Sequence, residues 1–146
     1  MIDREFRDQA GLAVRRFLDC TIDNNDFQLE YPLKPSDDPV IRAIQEYVWH
    51  WYDDLSVHKL IKDHALSDDE REIGERCVLI LRSDVEYEWR ESKFISSALF
   101  SLGFASQLAL SEQLALYLNQ PEGDASVWPF FRRSDYELAL NSNFPE

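Results

Sequence analysis

Apolar residues spaced by three and four positions recur along most of this chain, and this spacing strongly constrains how it can fold. An α-helix has 3.6 residues per turn, so such spacing places the apolar side chains on one face. In the first twenty residues the positions between them carry Asp, Glu and Arg. The pattern predicts an amphipathic helix over residues 2–20, with Gly11 at a close crossing. Its apolar face comprises Ile2, Phe6, Ala10, Ala13, Val14, Phe17 and Leu18.

Capping signals predict where further helices begin. Asp38 followed by Pro39 is typical of a helix N-terminus, because proline at the first helical position loses no hydrogen bond. The apolar stripe after it predicts a helix to about Leu55, with a bent continuation to His64 as an alternative. Ser67 and Glu70 have the spacing of a capping box, which predicts a helix ending near Ser83.

The remaining segments have weaker patterns. Turn residues over 23–26 and two prolines in residues 21–37 predict a loop there, with a short extended stretch as an alternative. Residues 92–119 predict one long helix or two. Alternation of Ala98, Phe100, Leu102 and Phe104 leaves a strand open within that segment. A short helix is predicted over residues 134–141.

These helices together predict an all-α fold, a single-domain irregular bundle of five or six helices over residues 1–146. A length of 146 residues suits one domain. Trp128, Phe130 and Phe131 are expected to close the end of the bundle, and Arg132 and Arg133 to pair with acidic side chains. The run Trp49, Trp51 and Tyr52 predicts a helix packed on several sides, or else partial exposure of Trp49.

The charge balance excludes several classes of function. Lys and Arg number 15 against 28 Asp and Glu, a formal charge of −13. We expect no nucleic-acid partner, because phosphate binding relies on cationic side chains, and no membrane partner. The first residues lack the basic and apolar regions of a secretory signal. Two isolated cysteines, Cys20 and Cys77, predict free thiols in a cytoplasmic protein.

An acidic connector, defined as residues 84–91, is the predicted partner-binding site. Exposed aromatic rings among carboxylates could attract a basic protein and hold it through desolvated contacts. In the alternative interpretation, the two rings pin the connector to the core while the carboxylates stay in water. The predicted partner-binding residues are Asp84, Glu86, Tyr87, Glu88, Trp89 and Glu91.

Histidines on the second predicted helix suggest an alternative, enzymatic function. Glu46, His50, Asp54 and His58 follow one another in steps of four, which places them on one helical ridge. A metal-assisted hydrolase could use His50 and Asp54. However, His50 and His58 would lie about 12 Å apart along a helix, too far for one ion. His50 with Asp54, or Asp54 with His58, could form one edge of a site, but no second motif in the sequence supplies the rest. We therefore predict no metal site, no cofactor and no catalytic residue.

Phosphate-binding glycine loops, nucleophile elbows and zinc-finger spacings do not occur in the sequence. A small acidic chain without catalytic motifs is typical of a protein-binding domain with a basic protein partner. Bacterial immunity proteins, which mask a toxin, share this profile of size and acidity. The likeness is one of general type, since no motif in the sequence carries it.

Overall fold

The computed structural model describes residues 1–32, 34–89 and 123–144, and all regular secondary structure in these ranges is helical. The predicted all-α bundle is therefore confirmed. The predictions for residues 92–119, including the strand alternative over 98–104, lie outside the described residues. The described α-helices are α1 (Arg4–Leu18), α2 (Asn24–Glu30), α3 (Pro39–Val48), α4 (Asp68–Arg82) and α5 (Arg133–Leu140). Three-residue 3-10 turns occupy Trp49–Trp51, Lys62–His64 and Ala125–Val127.

Helices α1 and α4 form the central pair of the bundle and run antiparallel. At one end Arg4 donates to the carbonyl of Ser83 (3.0 Å), and at the other Arg15 pairs with Glu75 (2.5 Å). The predicted capping box of α4 is present, since the Ser67 side chain accepts from the third backbone N–H and Glu70 reciprocates. The predicted positions of both helices are confirmed to within two or three residues at each end.

Two glycines allow close approach within this pair. A Cβ at Gly11 would lie 3.5 Å from Leu81, which is ordinary contact, so the predicted crossing exists without severe crowding. Gly74 is tighter, because a Cβ there would lie 2.8 Å from the side chains of both Leu18 and Trp51. Gly74 therefore forms the notch in α4 that receives the Trp51 ring.

Helix α2 corrects the prediction of a loop over residues 21–37. The Asp23 side chain accepts from the backbone of Asp26 (2.9 Å), and the Asp26 side chain accepts from the backbone of Asp23. Residues 23–26, which predicted a turn, therefore form the N-terminal capping box of α2. Phe27 and Tyr31, four residues apart, are both buried in the core. Burial of this short apolar face stabilises a helix too short to form alone.

Helix α3 begins where predicted but ends at Val48, so the prediction of a helix to Leu55 or His64 is wrong. One 3-10 turn follows, and Tyr52 is extended (φ −143°, ψ 165°). The tighter turn accompanies burial of Trp51 against Gly74, while Trp49 stays 52% exposed. Partial exposure of Trp49 was the alternative, and the structure shows it in place of a central helix covered on several sides.

A buried ion pair joins α1 to the start of α3. Arg7 and Asp38 are both completely buried, with Nε 2.6 Å from Oδ2. Arg7 also donates to the carbonyls of Ile80, Ser83 and Val85, at 3.2, 3.1 and 2.8 Å. Asp38 caps α3 by accepting from its second residue. Burial is tolerable for this pair because these hydrogen bonds replace those to water.

The aromatic residues near the carboxyl end close the bundle as predicted. Trp128, Phe130 and Phe131 are buried, and Trp128 makes a T-shaped contact with Tyr47 (5.0 Å between ring centroids). The two arginines pair with acidic side chains, which confirms that prediction. Arg132 binds Glu88 in bidentate fashion and Arg133 lies 3.3 Å from Asp124.

Cys20 and Cys77 are free thiols, as predicted. Cys77 is completely buried, and burial raises the pKa of its thiol well above the ordinary value. The longest helices within the described ranges, α1 and α4, have 15 residues each. Among the residues described, no helix has the length and apolarity that a bilayer crossing requires.

Candidate functional site

The carboxylates of the acidic connector are accessible, but each described one has a cationic partner within the chain. Asp84 lies 3.4 Å from Arg4, and Glu86 lies 3.5 Å from the N-terminal amine. Glu88 accepts both guanidinium N–H groups of Arg132. Glu91 lies outside the described residues. These pairs reduce the negative potential that the connector presents to a partner.

The aromatic rings of the connector belong to the core. Tyr87 is 8% exposed and Trp89 3% exposed. Trp89 donates from its indole to the carbonyl of Phe130 (3.3 Å) and stacks edge-on against Phe131 (5.0 Å). The hypothesis of exposed rings is therefore wrong for these two residues, and the alternative, in which they pin the connector, is confirmed. Partner contact by the connector's carboxylates stays a prediction.

The helical ridge of the enzymatic alternative does not form. Because α3 ends at Val48, His50 lies in the 3-10 turn and Asp54 lies beyond it. Asp54 accepts a hydrogen bond from Gln28 of α2 (3.0 Å). Burial lowers the pKa of His50, which favours its neutral form. The proposed pairing of His50 with Asp54 on one helix face is therefore wrong.

Residues 52–66, here called the 52–66 loop, connect the 3-10 turn Trp49–Trp51 to α4. Asn24 of α2 is buried and binds the loop at four points. Its amide donates to the carbonyls of Asp53 (2.9 Å) and Ser56 (3.0 Å), and its side-chain oxygen accepts from the backbone of His58 (2.9 Å). Its backbone N–H donates to the carbonyl of His58 (3.0 Å). One side chain thus holds most of the loop's first half.

The second half of the 52–66 loop is anchored by Leu60. This residue is 1% exposed, and its carbonyl lies 3.3 Å from the thiol of Cys20. The loop nevertheless leaves three aliphatic side chains in water. Leu55 is 84% exposed, Val57 61% and Ile61 46%. An ordered loop that displays apolar side chains has the composition of a binding surface.

Eight acidic residues lie on the elements that meet at this end of the bundle. Arg71 of α4 donates to the carbonyl of Leu18 at the end of α1 (3.3 Å). The 52–66 loop contacts Asn24 at the start of α2 and Cys20 just after α1. Lys59 and Lys62 are the loop's own cations. We call this the acidic face and define it by Asp23, Asp26, Asp53, Asp54, Asp63, Asp68, Asp69 and Glu70.

Most arginines of the described residues are committed to the chain's own carboxylates. Near the acidic face, Arg15 pairs with Glu75 and Arg16 with Glu30, both at 2.5 Å. In the part of the chain that the structure describes, no ion pair within 4.0 Å involves the aspartates of the acidic face. The charges of these aspartates are therefore not neutralised by ion pairs among the described residues.

Two histidines and an aspartate of the 52–66 loop lie together. The imidazoles of His58 and His64 are stacked, with centroids 3.6 Å apart and planes at 13°. Asp53, His58 and His64 each offer a ligand atom, and these three atoms lie within 4.8 Å of one another. His50 is not part of this cluster. Of the ridge predicted from the sequence, only His58 joins it.

A separate open groove of about 650 Å³ lies beside α3. Its lining mixes prolines with charged residues, and the exposed Trp49 forms one wall. The charges of Lys34 and Arg42 are balanced there by Asp37 and Glu46. The groove therefore carries no charge preference comparable to that of the acidic face.

Sequence reasoning did not identify the 52–66 loop, because the predicted helix covers its start to about Leu55 and, in the alternative, continues to His64. A signal was available, however. Asp53, Asp54 and Ser56 are residues whose side chains compete with the helix for backbone hydrogen bonds. Asp53 does so here, accepting from the backbone of Leu55 (2.9 Å). The role of Asn24 had no signal of comparable strength, since its partners lie 29 to 34 residues away.

Comparisons with protein-family models, with curated proteins and with solved structures find no match to this chain.

Proposed function

We propose that this chain is a small, non-catalytic protein-binding domain whose acidic face engages a basic partner protein. The observation that carries the proposal is the 52–66 loop, which is held by partly buried hydrogen bonds to the buried Asn24 and yet displays Leu55, Val57 and Ile61 in water. A loop ordered before binding loses little conformational entropy when a partner covers it.

The charge supports a cationic partner. A formal charge of −13 accelerates encounter with a positive surface, and salt screens this attraction. The eight carboxylates that define the acidic face outnumber the loop lysines Lys59 and Lys62 and Arg71 of α4 taken together. Exposed aliphatic side chains within an acidic surround provide desolvated contacts once the encounter has occurred.

In its finer form, the proposal is an immunity-type role, in which the domain masks a basic toxin. Size, acidity and the lack of catalytic motifs support this form. A toxin-like reading frame beside the gene is the genomic observation that favours it over a role as an adaptor or regulatory subunit.

The test is affinity capture with the immobilised protein from a lysate of the organism that encodes it. Capture is compared at about 0.05 M and about 1 M salt, where the Debye length falls from more than 10 Å to about 3 Å. We expect a basic protein, identified by mass spectrometry, that is retained at low salt and released at high salt. Equal retention at both salt concentrations would contradict the electrostatic account.

Matched variants locate the binding surface. The double variant Leu55→Ser and Val57→Ser removes two displayed side chains, and we expect it to lose the captured protein. Leu138→Ser with Leu140→Ser changes two similarly exposed leucines of α5 and serves as the control. A further variant, Asp84→Asn with Glu86→Gln, tests the acidic connector. If only this last variant loses the partner, the connector is the binding site and the 52–66 loop is not.

A further inference from the structure

We propose that Asp53, His58 and His64 form a binding site for a divalent transition-metal ion, with Zn²⁺ as the best-suited one. Two imidazoles and one carboxylate are ligands that zinc takes readily in proteins. The three ligand atoms already lie within 4.8 Å of one another. This inference stands on the cluster alone and does not depend on the proposed binding of a protein partner.

The hydrogen bonding of His58 prepares it as a ligand. Its Nδ1 lies 2.9 Å from the carbonyl of Ser56, which accepts only, so the neutral ring carries its proton on Nδ1. The lone pair is then on Nε2. Nε2 is buried, and no polar atom of the described residues bonds to it. A backbone carbonyl that fixes the tautomer in this way is a common companion of metal-binding histidines.

The backbone that carries the cluster is fixed before any ion arrives. Both backbone polar groups of His58 bond to Asn24, at 2.9 and 3.0 Å. His64 ends the 3-10 turn and donates to the carbonyl of Ile61 (3.0 Å). Asp53 is held through its carbonyl by the amide of Asn24 (2.9 Å). The three ligand atoms can therefore approach one ion only through rotation of side chains, since the backbone is held in place.

Ion binding requires a modest rearrangement. Zinc–nitrogen distances of about 2.0–2.1 Å place the ligands of a tetrahedral ion about 3.3 Å from one another. The His64 ring, now stacked face to face on that of His58, has to turn so that its lone pair meets the ion, while His58 keeps its bond to the Ser56 carbonyl. Three protein ligands leave a fourth position for water or for a group from a partner.

In the experiment, the chelator-treated protein of 146 residues is titrated with ZnCl₂, and calorimetry measures the heat of binding. We expect one Zn²⁺ per chain, and at least about tenfold weaker binding in His58→Gln and in His64→Gln. His50→Gln is the matched control, because that histidine lies outside the cluster. Cys20→Ser is a second control, since its thiol contacts the same loop. Both controls are expected to bind as the unaltered chain does.

Nitrogen NMR of the unaltered protein gives a readout that requires no variant. Zn²⁺ should shift the imidazole nitrogen signals of His58 and His64 and leave those of His50 in place. The proposal is overturned if no binding occurs up to about 1 mM Zn²⁺, a free energy of only about −4 kcal/mol. It is also overturned if both histidine variants bind normally, or if Cys20→Ser abolishes binding.

Discussion

Arg7 and Asn24 are two buried polar side chains that do similar work in different parts of the molecule. Each holds a non-helical segment against α-helices, Arg7 at residues 83–85 and Asn24 at residues 53–58. Arg7 does so with a charge that needs Asp38 beside it, whereas Asn24 is neutral. Loss of Arg7 leaves the charge of Asp38 buried and unpaired, which destabilises the whole fold. Loss of the Asn24 amide removes hydrogen bonds from one loop, so we expect its effect to stay local.

The largest effect is expected for Arg7→Met. The change leaves Asp38 buried without its cation, and breaking such a pair costs about 3–5 kcal/mol. The free energy of unfolding from chemical denaturation measures it. Arg133→Met is the control, because its pair with Asp124 is exposed and is expected to contribute less than about 1 kcal/mol. A loss below about 1 kcal/mol for Arg7→Met would make the buried pair no stronger than the exposed one and would contradict the comparison.

An intermediate effect is expected for Asn24→Ala. The change leaves the carbonyls of Asp53 and Ser56 and the N–H of His58 without their partner, at a cost of about 1–3 kcal/mol. Hydrogen exchange should accelerate over residues 53–58 and remain slow in α1 and α4. Asn25→Ala, at an exposed neighbouring position, should change stability by less than about 0.5 kcal/mol. Faster exchange in the helices but not in the loop would contradict a local role.

The smallest effect is expected for the exposed counterpart of the buried ion pair, Arg15 with Glu75. A double-mutant cycle with Arg15→Gln and Glu75→Gln should give a coupling of no more than about 1 kcal/mol at neutral pH. The hydrogen bond from Arg15 holds the pKa of Glu75 below its ordinary value of 4.5. The coupling is therefore full above that value and is lost as the pH falls through the lowered pKa.

Salt provides the control for that cycle. The coupling between Arg15 and Glu75 should shrink at 1 M salt, because both side chains are partly exposed. If the coupling persists both in high salt and below the lowered pKa of Glu75, solvent does not screen this pair. The pair would then behave like Arg7 and Asp38, and the expected difference between exposed and buried ion pairs would be wrong.

Local signals in the sequence predicted the helices that are governed by local chemistry. Three of these signals act within a few residues and can therefore be recognised in a single sequence. They are the aspartate and proline at the start of α3, the capping box of α4 and the apolar spacing of α1. The pairing of Arg132 with acidic groups followed from charge balance. The all-α class followed from these helices alone.

Long-range contacts decided what the sequence could not show. Arg7 lies three residues before Ala10 and seven before Val14, on the apolar face of α1, and only Asp38, 31 residues away, makes the burial of its charge possible. The end of α3 depends on the fit of Trp51 to Gly74 of another helix. The predicted helix ends near Leu55, with a bent continuation to His64 only as an alternative, and neither prediction brings His58 and His64 together.

The notch at Gly74 links the interior of the protein to its outer surface. Trp51 is seated there immediately before the chain enters the 52–66 loop. A side chain added at position 74 would displace the Trp51 indole. The start of the 52–66 loop, which follows Trp51 directly, would shift with it. The proposed recognition at Leu55 and the proposed ligation at Asp53 would therefore both depend on where Trp51 sits, so a substitution at Gly74, which no partner touches, could alter either of them.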